Sequence, residues 1–206
     1  MQLCAAVGDP TAEDAARLKK VMRYLNATRD YGLLIQPGGE LIAFVDSDWA
    51  TDETDRRSVS GFVIGFQSES GDFSPIVWRS KKQTCVETST CEAEYVAMHE
   101  VCREVTFLRS VLKEIGWSKG RKPTVVFCDN RSAVAIGNDE AVRSKRARYI
   151  DIRFHYARWC ARQGLVRFQW IGTKENIADL FTKSVSNDVF AKHARRLAKP
   201  LGLSKT

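Results

Sequence analysis

No stretch of about 18 apolar residues occurs in this 206-residue chain, so no segment reads as a membrane-spanning helix. The N-terminus lacks a basic segment followed by an apolar one, which leaves nothing to read as a signal peptide. The expected setting is intracellular. Histidine is scarce, with His99, His155 and His193 alone, and no Ser or Cys sits in a motif with a histidine nearby. Nucleophilic catalysis of the Ser–His or Cys–His kind therefore has no candidate. Six cysteines (Cys4, Cys85, Cys91, Cys102, Cys128 and Cys160) are scattered without a C-x-x-C pair, which argues against a zinc site or a disulfide framework. The flanks Val101-Cys102, Phe127-Cys128 and Trp159-Cys160 look like core positions for free thiols. Internal repeats and low-complexity segments are absent too.

What is present is a chain with 44% apolar residues, enough for a good core in one domain of ordinary size plus an appendage. The formal charge is +7 and unevenly spread: residues 141–206 carry a net +11, leaving −4 for residues 1–140. The run Arg143-Ser-Lys-Arg-Ala-Arg148, followed by Arg153, Arg158, Arg162 and Arg167, is placed to track a phosphate backbone. A solvated helix face would look similar.

Periodicity outlines a mixed α/β order. Asp9-Pro10-Thr11 starts a helix in which Ala15, Leu18, Val21, Met22 and Leu25 recur at helical spacing. Leu33–Ile35 and Leu41–Val45, with Pro37-Gly-Gly39 between them, read as a hairpin, and strands at Val59–Phe66 and Ile76–Arg79 extend the antiparallel run. From Ser89 the period becomes helical, with Ser89-x-x-Glu92 available as a capping box and Gly116 as the stop. Thr124–Cys128 is a fully apolar strand of the kind buried in parallel sheets. Helices at Ser132–Gly137 and Ile150–Gln163, a strand at Leu165–Ile171, and helices at Ile177–Lys183 and Val189–Leu197 complete the order.

Four acids stand out in that order. Asp46 lies on the first core strand, Glu94 in the first turns of the long helix, Asp129 at the end of the apolar strand, and Asp179 in a late helix. A lone aspartate at a strand end is commonly a turn former. If the strands of Asp46 and Asp129 are parallel neighbours, however, both side chains emerge at one strand-end crevice. Like charges about 4 Å apart repel by roughly 4 kcal/mol at an effective dielectric near 20, so such a cluster calls for cations. Oxygen-only donors favour Mg²⁺ or Mn²⁺, and two such ions about 3.5–4 Å apart can cleave a phosphodiester with no nucleophilic side chain.

The ordered motifs Phe44-Val-Asp-Ser-Asp-Trp-Ala50, Arg56-Arg-Ser-Val-Ser-Gly-Phe62, Trp78-Arg-Ser-Lys-Lys-Gln83, Ser89-Thr-Cys-Glu-Ala-Glu-Tyr95, Phe127-Cys-Asp-Asn-Arg-Ser-Ala133, Tyr149-Ile-Asp-Ile-Arg-Phe-His155 and Thr173-Lys-Glu-Asn-Ile-Ala-Asp-Leu-Phe-Thr-Lys183 span nearly the whole chain. Together they resemble the ribonuclease H region of copia-type (Pseudoviridae) LTR retrotransposon Pol polyproteins. The segment before them resembles the connection to the reverse transcriptase.

The resemblance implies an α/β ribonuclease H-like fold: a five-stranded mixed sheet, three antiparallel strands then two parallel, flanked by helices. It implies a division into a connection segment (1–38), a ribonuclease H-like domain (39–185) and a basic C-terminal helix and tail (186–206). It also implies two-metal hydrolysis of the RNA strand of RNA–DNA hybrids, with Asp46, Glu94, Asp129 and Asp179 as catalytic and metal-holding residues and two Mg²⁺ or Mn²⁺ ions. Glu92, read as a capping residue, leaves Glu94 as the ligand, and Asp48 reads as a turn former rather than an auxiliary acid. Candidate nucleic-acid contacts are Ser47, Asn130, Arg143, Lys145, Arg146, Arg148 and Lys174, with helix capping as the other reading of Asn130. Trp49 and Trp78 read as core aromatics. Expected partners are an RNA–DNA hybrid and the reverse transcriptase region of a parent polyprotein, with no membrane and no small-molecule cofactor, in the cytoplasm (a virus-like particle) or the nucleus.

Thr51, Cys91 and Tyr149 depart from the family pattern without removing a carboxylate. The histidine that cellular ribonucleases H carry before the last acidic helix has no counterpart in Gly172–Glu175, where Lys174 is the residue placed to assist a departing phosphate. Met1 falls inside the apparent connection segment, which leaves a gene fragment and a complete gene product both open, and a decayed or repurposed nucleic-acid-binding module with the same fold is the alternative function.

Overall fold

The computed structural model describes residues 3, 6–36, 38–50, 55–117, 122–138 and 155–201. Helix α1 (Ala12–Ala27) is followed by a two-residue strand β1 (Tyr31–Gly32) and the strands β2 (Glu40–Asp48), β3 (Val59–Gln67) and β4 (Phe73–Lys82). The long helix α2 (Thr90–Glu114) leads to β5 (Thr124–Cys128), the short helix α3 (Arg131–Gly137), α4 (His155–Arg162) and β6 (Val166–Trp170). Two 3-10 helices, Thr173–Glu175 and Ile177–Phe181, precede α5 (Asn187–Leu197) and a last short strand β7 (Lys199–Pro200).

Five strands form one sheet in the order β4-β3-β2-β5-β6. The β2–β3 and β3–β4 pairs are antiparallel, whereas β2–β5 and β5–β6 are parallel, as the motif order implies. Strand β2 is buried on both faces, and successive side chains point to opposite layers. Ala43 and Val45 join Phe62, Ile64, Val126 and Phe168 under the helices, against Tyr95, Met98, Val101 and Val105 of α2. Ile42 and Phe44 face the other way, onto Val63, Phe73, Ile177 and Ala178. Phe44 stacks on Phe127 at 5.0 Å and meets Phe73 edge-on at 5.6 Å, which locks β2 to β5 on that face. Each such large side chain, fully buried, contributes about 1.5–3 kcal/mol.

Local signals explain most boundaries. Thr11 and Asp14 form a reciprocal capping box at the start of α1. Gly116, at φ +79°, follows the end of α2, a conformation open to glycine. At the start of α2 the Ser89 hydroxyl accepts from the Glu92 N–H at 3.3 Å, but the Glu92 carboxylate reaches one residue further back than a capping box requires, to the N–H and hydroxyl of Thr88.

The expected hairpin is not formed. Leu33–Ile35 has no strand structure; the adjoining Tyr31–Gly32 pairs antiparallel with Lys199–Pro200 instead. The pairing is supported by the Leu201 N–H donating to the Asp30 carbonyl at 2.9 Å. Two further adjustments are smaller. The segment expected as a helix over Ile177–Lys183 is a 3-10 helix over Ile177–Phe181, and residues 150–154 of the expected helix Ile150–Gln163 lie outside the described residues. Helix α1 forms, but its apolar stripe is uncovered: Leu18, Val21, Met22 and Leu25 are exposed, and Tyr24 alone of its large side chains has an aromatic partner among the described residues, Phe190 at 5.4 Å.

The 3-10 helix sits directly on the sheet because β3 offers no side chain at one place. A Cβ on Gly61 would lie 2.6 Å from Thr182 Cγ2 and 2.8 Å from Phe181 Cβ, and Gly61 is the register partner of Asp46. We expect Gly61→Ala to destabilise the protein by about 1–3 kcal/mol, the usual cost of overpacking, read as a lower urea midpoint at unchanged slope; a wild-type midpoint would show that the contact is slack.

Candidate active site

The four acids converge from four separated segments. Asp46 projects from β2 on the Phe44 side of the sheet, toward the 3-10 helix, and is 1% exposed. Asp129 follows the last residue of β5, the parallel neighbour of β2. Asp179 lies on the 3-10 helix and Glu94 near the start of α2, at 4% and 5% exposure. Carboxylate oxygens of Asp46, Asp129 and Asp179 all lie within 4.8 Å of one another. Asp129 also belongs to a second group of the same tightness with Glu94 and the Cys128 sulfur, so it links all four acids.

Specific bonds hold this arrangement. The buried Asn176 side chain donates to the Val45 carbonyl at 2.9 Å and accepts from the Ala178 N–H at 3.2 Å, which ties the 3-10 helix to the strand beside Asp46. The Thr182 hydroxyl donates to Asp46 Oδ2 in a short hydrogen bond. Lys183 Nζ lies 3.3 Å from Asp46 Oδ2 and 3.2 Å from Asp179 Oδ1. Glu94 accepts a main-chain hydrogen bond from Ser47 and a weak one from the Cys128 thiol at 3.7 Å. The Trp170 indole donates to the Asp129 carbonyl at 3.1 Å, and the Arg131 guanidinium covers that ring at 3.8 Å.

Burial and mutual repulsion raise the carboxyl pKa values. Burial lifts Glu94 well above the usual carboxylate range, and the charges of Asp46 and Asp129 push it further. Asp46 is raised by burial, against the opposing pull of Lys183 and the Thr182 hydroxyl. Asp179 is pushed up to about 6, by burial first and then by the Asp46 charge. Burial works against the Lys183 ammonium, but Asp46 and Asp179 more than offset it and its pKa rises. One ammonium cannot neutralise four carboxylates, and their oxygen donors suit a hard divalent cation.

The remaining candidates divide. Asn130 caps α3, its Oδ1 accepting from the Ala133 N–H at 3.0 Å. Ser47 is half-buried, and Lys174 is exposed in the 3-10 turn Thr173–Glu175, where its carbonyl accepts from Lys192 at 3.4 Å. Arg143, Lys145, Arg146 and Arg148 lie outside the described residues. Asp48 closes β2 and enters neither acid group. Trp49 and Trp78 are not core aromatics: they are 41% and 51% exposed, with the Trp49 indole donating to the Glu87 carbonyl at 3.0 Å. Cys102, Cys128 and Cys160 are buried free thiols, as their flanks suggest. The sequence reading missed Thr182 and Lys183. The spacing of Asp179 and Lys183, i and i+4, was the available signal for the lysine; Thr182 had none.

A carboxyl raised in the folded state stabilises fully below its unfolded pKa, and that stability is lost as pH rises through the folded value. For Asp179 the window runs from its ordinary 3.8 to about 6. His193, lowered by burial, opposes this below its ordinary 6.5, so the informative quantity is a difference between proteins. In chelator, Asp179→Asn is expected to gain on wild type by on the order of 1 kcal/mol between pH 5 and pH 7, measured by urea unfolding at both; a pH-independent difference would contradict the raised carboxyl.

Comparison with known proteins places this geometry. No family model matches the chain. It is 33% identical over 190 residues to the retrovirus-related Pol polyprotein from transposon RE1 of Arabidopsis thaliana, covering 91% of this chain and 12% of that protein. It is 32% identical over 183 residues to that from transposon TNT 1-94 of Nicotiana tabacum, covering 88% of this chain and 13% of that protein. The chain thus spans about an eighth of the curated relatives it matches. Among solved structures, LC11-RNase H1, isolated from compost by a metagenomic approach, superposes with a TM-score of 0.52 at 17% identity, covering 76% of this chain and 99% of that one, a likeness of fold. A single alignment thus runs through nearly all of the chain's length over the ribonuclease H fold, and its homologues are copia-type retrovirus-related Pol polyproteins.

Proposed function

We propose that this chain hydrolyses the RNA strand of RNA–DNA hybrids as the ribonuclease H part of a reverse-transcribing Pol polyprotein. The observation that carries the reading is the convergence of Asp46, Asp129 and Asp179 within 4.8 Å, joined through Asp129 to Glu94. A passive binding surface for a polyanion has no use for buried acids; a site that recruits Mg²⁺ or Mn²⁺ does. Asp46, Glu94, Asp129 and Asp179 are the residues that would hold a pair of such ions. When bound, the pair supplies an activated water and neutralises charge at the scissile phosphate.

The chain's own groups do the positioning. Asn176 and Thr182 hold Asp179 and Asp46 in register, so that the carboxylates are already assembled when substrate arrives. Ser47 acts through its main chain on Glu94, and Asn130 orients the segment beside Asp129 by capping α3. Selection for RNA calls for a partner to the 2′-hydroxyl across the minor groove, and Asn130 and the backbone beside the acids take that role in this reading. Arg143, Lys145, Arg146, Arg148 and Lys174 take phosphates, a role that fixes register without reading sequence. The reverse transcriptase region of the parent polyprotein is the proposed partner. No helix among the described residues is long and apolar enough to cross a membrane.

The test is a gel assay on a hybrid labelled in its RNA strand. Cleavage is expected with Mg²⁺ or Mn²⁺, none in chelator, and a loss of at least about a thousandfold, roughly 4 kcal/mol of barrier, in Asp129→Asn. Salt-dependent binding to the hybrid should survive that substitution. Cleavage persisting in chelator or in Asp129→Asn would defeat the proposal, and binding without cleavage by the wild type would make the chain a nucleic-acid-binding module.

A further inference from the structure

Among the described residues, Lys183 stands apart from the other basic side chains in its placement. Its ammonium sits among the acids, 3.3 Å from Asp46 Oδ2 and 3.2 Å from Asp179 Oδ1. The two carboxylates are almost wholly out of water, whereas the lysine side chain is 31% exposed and has a way out to solvent. Its backbone is pinned where the 3-10 helix ends, the Lys183 N–H donating to the Asp179 carbonyl at 3.2 Å. The head group can therefore leave while the residue stays in place.

We propose that Lys183 is the resident counter-ion of the acid cluster: it bridges Asp46 and Asp179 in the metal-free protein and must release those oxygens before a divalent ion can take them. This rests on the metal-holding reading of the acids given above. Two buried carboxylates with no cation between them would repel each other with little water to screen them. The ammonium supplies the missing charge, at the cost of competing for the same lone pairs. Apparent metal affinity is then the intrinsic affinity reduced by the fraction of molecules in which the lysine has moved aside. Lys183 is in this sense a positioning residue that sets the metal concentration at which the site loads. After release its half-buried side chain keeps the ammonium at the rim, where the phosphate of a substrate is the next available anion.

Lys183→Met removes the charge and keeps an apolar stem; Lys183→Arg keeps the charge. Melting temperatures in chelator and with added Mn²⁺, together with calorimetric titration by Mn²⁺, test the assignment on the whole chain without any assay of activity. In chelator Lys183→Met should melt several degrees below wild type, and Mn²⁺ should restore it. Its Kd for Mn²⁺ should fall about tenfold, within the usual range of coupling between two ligands of one site, while Lys183→Arg stays near wild type. Tighter binding is the discriminating result, since damage to a merely structural contact would weaken the site. Mn²⁺ bound equally or less well by Lys183→Met overturns the inference and leaves the metal-holding reading standing. Failure of Lys183→Met to fold even with Mn²⁺ also overturns it, by making the lysine structural. No Mn²⁺ binding by wild type or either variant removes the metal-holding reading and the inference with it.

Discussion

Four carboxylates forced together, three of them nearly out of reach of water, are the constraint around which this molecule is built. Left alone, such groups separate or neutralise, and burial with mutual repulsion raises the carboxyl pKa values of Glu94 and Asp179. That they stay together reflects the frame. Asp46 is held on a strand buried on both faces, Asp129 at the end of that strand's parallel neighbour, and Asp179 on a 3-10 helix seated against a glycine. Asn176 connects the two halves, since its amide serves the Val45 carbonyl and the Ala178 N–H together. Removing any of these supports would let repulsion open the cluster.

The frame is also economical in its use of sequence. The three-residue step from Asn176 to Asp179 places a capping residue and an acid on one short helix, and Thr182 and Lys183, the next two polar positions, return to Asp46. One segment thus delivers an acid, a hydrogen-bond donor and a cation to the same few ångströms. Its irregular 3-10 form suits this, because it can follow the sheet surface more closely than a regular helix end.

Much of this could be read from the chain before its structure. Apolar runs ending in Asp46 and Asp129 announced the strands that bring these two acids together, and the change of period at Ser89 announced the helix bearing Glu94. The mixed topology followed from strands in a run and then strands alternating with helices, with the apolar Thr124–Cys128 as a buried parallel strand. Other features depend on partners far away in sequence. Leu33–Ile35 has a strand-like composition, yet the pairing that forms beside it is with Lys199–Pro200, a choice no local pattern encodes. Trp49 and Trp78 look like core residues by composition and are half in solvent, because Trp49 falls in the turn just past the end of β2 and Trp78 lies on the edge strand β4. Lys183 reads as one more cation in a basic C-terminal third until the fold brings Asp46 to it.

The parallel pairing of β2 with β5 has a kinetic consequence. Ile42 pairs with Val125 and Phe44 with Phe127 across a stretch of chain that holds the β3–β4 hairpin and the whole of α2. Contacts of such long range form slowly, so Asp46 and Asp129 are strangers to each other through the early stages of folding. Their repulsion is then met late, when local structure is already in place to oppose it. The tension in the acid cluster accordingly belongs to how fast the native protein comes apart rather than to how fast it assembles.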